Sequence, residues 1–282
     1  MTISDRETAA DANIQVHSAL ANSGEYNKSP HFRPENLKKV RAVVEKIVDS
    51  HLSNKKGRLL DIGCGTGFMI NLTHDLFTKI DGIDITLDMM KQVDLSPGNI
   101  ELHESMAETT PFDKDSFDMV SAYSFLDHVV SYEEIFREAF RVLKSGGVFY
   151  SDLNPNMLFS ETMQKIEQQR HDNLPHIIKR EISGMLHNGE YYQENFGIDK
   201  DTLAAAEPIK SLDRGFDPYE VMETAKELGF SKSYFEVDWY LGQAQVMHER
   251  PSGENEIVES FLRSALPATI NLFKYLRFVL VK

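Results

Sequence analysis

The run from Leu59 to Gly67, Leu-Leu-Asp-Ile-Gly-Cys-Gly-Thr-Gly, constrains the fold more than any other part of the chain. An apolar pair leads into Asp61, three glycines alternate at Gly63, Gly65 and Gly67, and apolar residues at helical spacing follow. This pattern predicts a strand, a tight glycine turn and the start of a helix. Glycine suits such a turn because the backbone bends sharply and a ligand can approach it closely. A nucleotide-like cofactor is therefore expected here.

The spacing of the glycines argues against a dinucleotide. The pyrophosphate fingerprint is Gly-x-Gly-x-x-Gly. Counted from Gly63, the third glycine falls on Phe68, and counted from Gly65 it falls on Ile70. Neither register fits, so an NAD-dependent oxidoreductase is the weaker alternative.

A second acidic residue, Asp84, ends the next predicted strand. It falls 17 residues after Gly67, close to the offset of ~20 residues expected for a ribose-binding carboxylate at the tip of a second strand. A carboxylate there can accept hydrogen bonds from two neighbouring hydroxyl groups. The alternative is a solvated turn residue, which the glycine motif in register makes less favourable.

Together these motifs resemble those of the class I S-adenosylmethionine-dependent methyltransferases that act on small molecules. The resemblance covers roughly residues 55 to 152, and it is weaker in the last seventy residues. It implies S-adenosylmethionine as the cofactor. It further implies that Asp61 holds the amino end of the cofactor's methionine part, and that the backbone of Gly63, Gly65 and Gly67 lies against the cofactor.

The resemblance also assigns the remaining cofactor contacts. Asp84 would bind the ribose and Ile85 would pack on an adenine face. Relatives commonly have an aspartate where this chain has Met106, so adenine recognition would fall to backbone groups around Met106 and Ala107. Tyr123 would lie at the ligand end of the fourth strand.

Strand and helix patterns alternate after Gly57, which predicts an α/β fold with a doubly wound, mainly parallel sheet. The resemblance implies the Rossmann-like methyltransferase form of this fold. Seven strands follow from the resemblance. We expect an N-terminal arm and helix that cover the cofactor (1–56), a cofactor-binding core (57–152), an inserted substrate cap (153–215), and the end of the core (216–282) with a second helical insertion (241–272).

Two further segments have local patterns of their own, the first 33 residues and the stretch around Asn188-Gly189. The first 33 residues are polar with a few apolar positions, which fits either an appended helix or a flexible arm. Asn188-Gly189 lies between Met185-Leu186 and Tyr191-Tyr192, a pattern that predicts a β-hairpin.

Composition limits the classes of partner. The formal net charge is −14, which opposes a nucleic-acid substrate unless a basic patch overcomes it. No apolar run approaches the ~18 residues of a membrane span, and the N-terminus lacks the apolar core of a signal peptide. The single cysteine, Cys64, excludes a disulfide framework. We expect a cytoplasmic protein with a small-molecule substrate, no nucleic-acid or membrane partner, and an unknown oligomeric state.

The candidate catalytic residues follow strand four. Asp127 and His128 occupy a position where relatives often have two histidines, close to the methyl group. His128 is a candidate general base and Asp127 a candidate base or amine anchor, although a structural role for the histidine is a competing interpretation.

The remaining candidates are less specific. Tyr26, His31 and Arg33 lie in a segment that resembles the approach arm of small-molecule methyltransferases, with a plain linker as the alternative. His187 and His248 lie in the insertions, where a solvated histidine is the simpler interpretation. The histidines show no metal-ligand spacing, so no metal is predicted.

The function expected from these residues is transfer of a methyl group from S-adenosylmethionine to an oxygen or nitrogen of a small organic metabolite. The main alternative is a non-catalytic protein that binds the same cofactor. The choice among oxygen, nitrogen and carbon, the need for a base, and the identity of the acceptor stay open at this stage.

Overall fold

The computed structural model describes residues 3–24, 33–52, 57–169, 174–185, 189–251 and 253–282. Seven strands form one sheet; their bounds are β1 Arg58–Ile62, β2 Lys79–Asp84, β3 Ile100–Glu104, β4 Phe117–Tyr123, β5 Leu143–Pro155, β6 Lys232–Tyr240 and β7 Phe273–Val281. The order across the sheet is β3-β2-β1-β4-β5-β7-β6. The first five strands are parallel, and β7 pairs antiparallel with β5 and β6. The prediction of a mainly parallel seven-stranded sheet is confirmed.

Thirteen α-helices surround the sheet within the described residues; their bounds are α1 Ile3–Ser23, α2 Pro34–His51, α3 Phe68–Thr73, α4 Leu87–Met90, α5 Tyr132–Val142, α6 Met157–Gln169, α7 His176–Met185, α8 Gly189–Phe196, α9 Lys200–Ala206, α10 Pro208–Leu212, α11 Pro218–Glu227, α12 Gln243–Glu249 and α13 Glu254–Ser264. None of these helices combines the length and the apolar character that a bilayer-spanning segment needs.

The strands have apolar side chains on both faces because helices cover both faces of the sheet. On one face Leu60 and Ile62 belong to a core that includes residues of α5 and α11. On the other face Leu59 belongs to a core that includes residues of α2 and α3. Alternate residues of β1 therefore serve opposite layers, which fixes the register of the central strand.

The strand order reverses between β1 and β4, since β2 and β3 lie on one side of β1 and the later strands on the other. Parallel sheets of this kind bind ligands outside the carboxyl ends of the strands at such a reversal. The glycine turn after β1 and the segment after β4 flank this crevice.

The N-terminal segment, for which a helix and a flexible arm were both open, forms the helix α1. The apolar side of α1 carries Val16 and Leu20, which pack in one cluster with Leu203 and Ala206 of α9. Burying this stripe against α9 provides the stabilisation that an isolated helix of this composition lacks.

The hairpin predicted at Asn188-Gly189 is wrong. Helices α7 and α8 lie on either side of this point, and residues 186–188 lie outside the described part. Tyr192 and Phe196, four residues apart, share one face of α8, and their ring centroids lie 5.7 Å apart. Both rings pack against the cluster formed by α1 and α9. This tertiary contact outweighs the local turn signal.

Candidate active site

A cavity of about 570 Å³ lies at the carboxyl ends of β1 to β4. Its size is within the range of small-molecule and cofactor sites. Residues of α1 cover it from outside the sheet. The cavity wall includes the candidate catalytic residue His128 and seven of the residues expected to bind the cofactor: Gly63, Gly65, Asp84, Ile85, Met106, Ala107 and Tyr123.

The glycine turn after β1 forms one wall with bare backbone. Gly63 has φ 65° and Gly65 has φ 52°, a left-handed conformation that side-chain-bearing residues rarely adopt. A Cβ at Gly63 would lie 2.1 Å from the ring of Phe125, and one at Gly65 would lie 2.9 Å from the methyl carbon of Met89. Any other residue at these two positions would clash with its neighbours. The bare backbone of this turn can therefore be contacted directly by a ligand in the cavity.

Asp84 joins the tip of β2 to this turn. Its Oδ2 accepts a hydrogen bond from the Gly65 N–H at 2.9 Å, and its Oδ1 accepts one from the Thr86 N–H at 2.7 Å. Each carboxylate oxygen accepts more than one bond, so both retain capacity for a ligand hydroxyl. Burial raises the pKa of Asp84 above its ordinary value despite these two backbone donors.

Asp61 lies at the end of β1, beneath the cavity rather than in its wall. It is buried, and its Oδ1 accepts a hydrogen bond from the Ser121 hydroxyl at 2.6 Å. Burial raises the pKa of Asp61 to about 7; Ser121 opposes the shift and the charge of Asp84 adds to it. A positively charged group nearby would restore its ionised form.

Tyr123 closes the cavity at the end of β4. Its ring stacks on Phe68 with centroids 4.3 Å apart, and its hydroxyl accepts a hydrogen bond from Asn36 Nδ2 at 3.3 Å. Burial raises the pKa of the phenol, so it stays protonated at neutral pH. Two aromatic faces and a neutral hydroxyl thus border the same cavity.

The expected adenine-binding segment lines another part of the wall. Ile85 is half-buried, Met106 is 40% exposed and Ala107 is buried. The Met106 carbonyl accepts a hydrogen bond from the Ser105 hydroxyl at 3.0 Å. The segment therefore offers apolar surface and backbone groups, and its contact with adenine stays a prediction.

His128 ends a short 3₁₀ helix that follows β4, and its ring borders the cavity. Its Nδ1 lies 3.0 Å from the Ala206 carbonyl oxygen, to which it can only donate. In the neutral ring the proton is therefore on Nδ1, and Nε2 has the lone pair. Asp127 lies behind it, buried, with Oδ1 4.0 Å from His128 Nε2. Burial raises the pKa of Asp127.

Comparison with known proteins decides the family. Residues 60–151 match the family model described as methyltransferase domain. These residues form a class I, S-adenosylmethionine-dependent methyltransferase domain. The cofactor predicted from the sequence is confirmed at this level, and the glycine wall, the free oxygen capacity of Asp84 and the cavity volume fit that cofactor.

One curated relative of this methyltransferase domain is an O-methyltransferase by name. A ubiquinone biosynthesis O-methyltransferase from Paraburkholderia phymatum is 31% identical over 150 residues, 51% of this chain and 63% of the relative. The chain thus spans less than two thirds of that relative's length.

Two solved structures share the fold. One is a methyltransferase from Thermotoga maritima, titled a possible histamine N-methyltransferase (TM-score 0.52, 17% identity, 95% of this chain and 99% of that chain). The other is phosphoethanolamine N-methyltransferase 2 from Haemonchus contortus with S-adenosylhomocysteine bound (TM-score 0.54, 16% identity, 100% of this chain and 60% of that chain).

The methyltransferase cavity includes two polar residues that sequence reasoning missed. His17 of α1 is half-buried, and its Nε2 lies 3.4 Å from His128 Nδ1. Burial, with a smaller effect of His128, lowers the pKa of His17 to about 3. Glu207 lies between α9 and α10 and also lines the cavity. The four-residue spacing of Asn13 and His17 on one helix face was the available signal for α1.

Several expected contacts lie elsewhere. Gly67 is the N-cap of α3 with φ 88°, and Arg33 is the exposed N-cap of α2; neither lines the cavity. Pro34 occupies the first turn of α2, so Arg33 precedes the helix as its N-cap. Tyr26 and His31 lie outside the described residues, as does His187. The side chain of His248 is likewise outside the described part.

The two insertions differ in their relation to the cavity. Segment 153–215 reaches it through Tyr192 and Glu207. Among the described residues of segment 241–272, none lines it; these residues form α12, α13 and the following 3₁₀ turn beside β6 and β7. A substrate-capping role for the first insertion and the N-terminal helix stays a prediction that these contacts support.

Proposed function

We propose that this protein transfers a methyl group from S-adenosylmethionine to a hydroxyl oxygen of a small organic acceptor. The proposal rests on one observation: a cofactor-type wall and a histidine that could act on the acceptor border the same cavity. A glycine wall with Asp84 lies at one side, and His128, with a lone pair on Nε2, borders the same space. The name of the curated relative, an O-methyltransferase, supports oxygen as the acceptor atom.

The bound cofactor would supply an activated methyl group on a positively charged sulfur. The chain's own residues would then hold the two reactants in line and exclude water. α1 covers the cavity, with Asn13 donating from Nδ2 to the His128 carbonyl at 3.0 Å. Tyr123 and Phe68 provide apolar faces.

His128 is the group we propose to act on the acceptor. Because Nδ1 donates to the Ala206 carbonyl, Nε2 is free to accept the hydroxyl proton or otherwise hold the acceptor. An amine acceptor needs mainly to be unprotonated, so it would depend less on His128. Asp127 next to Nε2 would stabilise a positive charge there.

The proposal also includes a cytoplasmic location and a small-molecule acceptor in place of a nucleic acid. The single cysteine is a free, buried thiol, which fits a reducing compartment. The acidic net charge of −14 opposes polyanionic substrates.

The test is incubation of the full chain with methyl-labelled S-adenosylmethionine and matched phenol and amine acceptors, followed by detection of S-adenosylhomocysteine and labelled product. We expect label on phenolic oxygen. Cofactor binding without product from any acceptor would favour the non-catalytic alternative, and label only on amines would contradict oxygen as the acceptor atom.

A further inference from the structure

Three side chains with metal-binding atoms meet at one end of the cavity. Asp127 and His128 follow β4, and Glu207 comes from the junction of α9 and α10. One ligand atom from each lies within 4.8 Å of the other two. His128 and Glu207 border the cavity, whereas Asp127 lies behind them. The cluster is thus buried on one side and open to the cavity on the other.

The orientation of His128 matches that of a metal ligand. Histidines that bind metals almost always donate their other ring N–H to a carboxylate, a backbone carbonyl or water. His128 does this through Nδ1, at 3.0 Å from the Ala206 carbonyl oxygen. The lone pair on Nε2 is therefore fixed in direction and available to a cation.

Asp127 provides the second, independent observation. Asp127 is only 7% exposed to solvent. Within the described part of the chain, Oδ1 accepts no hydrogen bond. This oxygen faces His128 Nε2 at 4.0 Å, so two lone-pair-bearing atoms oppose each other. Two bonds of about 2.1 Å from one ion span up to about 4.2 Å, and a cation between them fits this gap.

The charge balance of the cluster points the same way. Asp127 and Glu207 share one nearby ammonium group, that of Lys210, which lies 2.6 Å from Glu207 Oε2 and acts on Asp127 only through its charge. One cation does not balance two carboxylates, and a buried carboxylate is costly unless a proton or a cation balances it.

A second cluster of the same residue types shows the contrast. Asp81, Glu101 and His103 also lie within ligand distance of one another. There Arg58 Nε lies 2.7 Å from Asp81 Oδ2, His103 Nε2 lies 3.1 Å from Oδ1, and Lys79 Nζ lies 2.7 Å from Glu101 Oε2. Each carboxylate of this cluster has a cationic side chain of its own, whereas Asp127 and Glu207 share one, so this cluster does not need an ion to balance its charge.

We propose that Asp127, His128 and Glu207 bind one divalent cation at the acceptor end of the cavity. Two carboxylate oxygens and one imidazole suit Mn²⁺ or Zn²⁺ better than a soft, thiolate-seeking ion. The cation's role in the reaction rests on the proposed function, but its binding does not.

The site's position gives the cation a task in methyl transfer. Facing the cavity, it would bind the acceptor hydroxyl and lower its pKa. With Nε2 of His128 bound to the cation, the hydroxyl proton would leave to solvent instead of to His128. The oxygen lone pair would form the new C–O bond, and the electrons of the broken C–S bond would stay on sulfur. Acceptors with an acidic hydroxyl, such as phenols, are the class this arrangement favours.

The direct test titrates Mn²⁺ into the full chain without cofactor or acceptor and follows free Mn²⁺ by electron paramagnetic resonance. We expect saturable binding of one ion per chain. Asp127→Asn and Glu207→Gln should each weaken it by at least about tenfold, because even loss of a supporting group costs a metal site that much. Glu101→Gln in the second cluster is the matched control and should leave binding unchanged.

Absence of saturable binding, or equal binding in all three variants, overturns the proposal. If the two loss variants fail to fold by circular dichroism, Lys210→Gln decides, since removal of the competing ammonium should tighten Mn²⁺ binding, and unchanged affinity contradicts the site. Methyl transfer that persists fully in excess chelator overturns the cation's role and leaves the proposed function standing. No transfer with or without Mn²⁺ contradicts the proposed function instead.

Discussion

Asp84 Oδ2 accepts a hydrogen bond from the Gly65 N–H at 2.9 Å, and this contact ties the tip of β2 to the glycine turn after β1. The two motifs that identify the domain in sequence are thus one unit in space. A ligand that binds the carboxylate also lies against the bare backbone of the turn.

The first prediction concerns Asp84. Asp84→Ala removes a charged acceptor in the cavity wall, and such hydrogen bonds contribute about 1.5–3 kcal/mol. The affinity for S-adenosylmethionine should fall by about one to two orders of magnitude, as measured by calorimetry. Asp94→Ala is the matched control, because Asp94 Oδ1 accepts from the backbone two residues ahead (Ser96 N, 2.9 Å), as Asp84 Oδ1 does, but lies outside the cavity. Equal affinities in both variants would show that the ribose is held elsewhere.

The second prediction concerns the pH dependence of cofactor affinity. Burial raises the pKa of Asp61 to about 7, so the cofactor-free protein holds this group largely neutral below that pH. If Asp61 pairs with the cofactor's amino group, affinity should rise with pH up to about 7, by up to about tenfold per unit. Asp61→Asn should flatten this dependence. A pH dependence that is unchanged in the variant would mean that Asp61 does not pair with the cofactor.

The same shift makes a prediction about stability without cofactor. The unfolded chain releases the Asp61 proton near 3.8 and the folded chain near 7, so the folded state holds more protons between these values. The free energy of unfolding contributed by this group therefore falls as pH rises through that window, by up to about 1.4 kcal/mol per unit. Denaturant unfolding should show that the free energy of unfolding of the Asp61→Asn variant rises relative to that of the wild type between pH 4 and pH 7. A constant difference would contradict the buried, protonated carboxyl.

The third prediction concerns the closure of α1. Asn13 is buried and its Nδ2 donates to the His128 carbonyl at 3.0 Å. Asn13→Ala leaves that carbonyl without this donor, a loss of about 1–3 kcal/mol. We expect faster proteolysis within α1 and faster release of S-adenosylmethionine in stopped-flow measurements. Asn22→Ala removes an exposed contact at 3.4 Å to Asp88 and should change neither rate; if it does, α1 is held differently.

The fourth prediction concerns His128. His128→Ala should lower turnover by about 10²–10⁴-fold, the range for loss of a group that acts on the transferred proton, with cofactor affinity unchanged. His128→Asn keeps much of the shape and should not restore turnover. His103→Ala, at a histidine away from the cavity, is the control. Full activity of the Asn variant would assign His128 a structural role only.

The core could be predicted from sequence because its signals are local. The run around Gly63, the spacing to Asp84 and the alternation of strands with helices each depend on neighbouring residues. β1 (Arg58–Ile62) and β4 (Phe117–Tyr123) lie on apolar runs that can be recognised in the sequence.

The far end of the cavity could not be predicted in the same way. His17 and Glu207 reach His128 across separations of more than 70 residues, through the packing of α1 on α9. No spacing rule connects such positions. The proposed metal ligands come from two distant segments, so they show no metal-ligand spacing along the sequence. The hairpin failed for a related reason, since Tyr192 and Phe196 are placed by their contacts with α1.

The most direct test of the central claim is calorimetry of the wild-type chain with S-adenosylmethionine, S-adenosylhomocysteine and NAD in parallel. The geometry of Gly63, Gly65 and Asp84 predicts saturable binding of both sulfur compounds and none of NAD. Saturable binding of NAD, with no heat from either sulfur compound, would contradict the account.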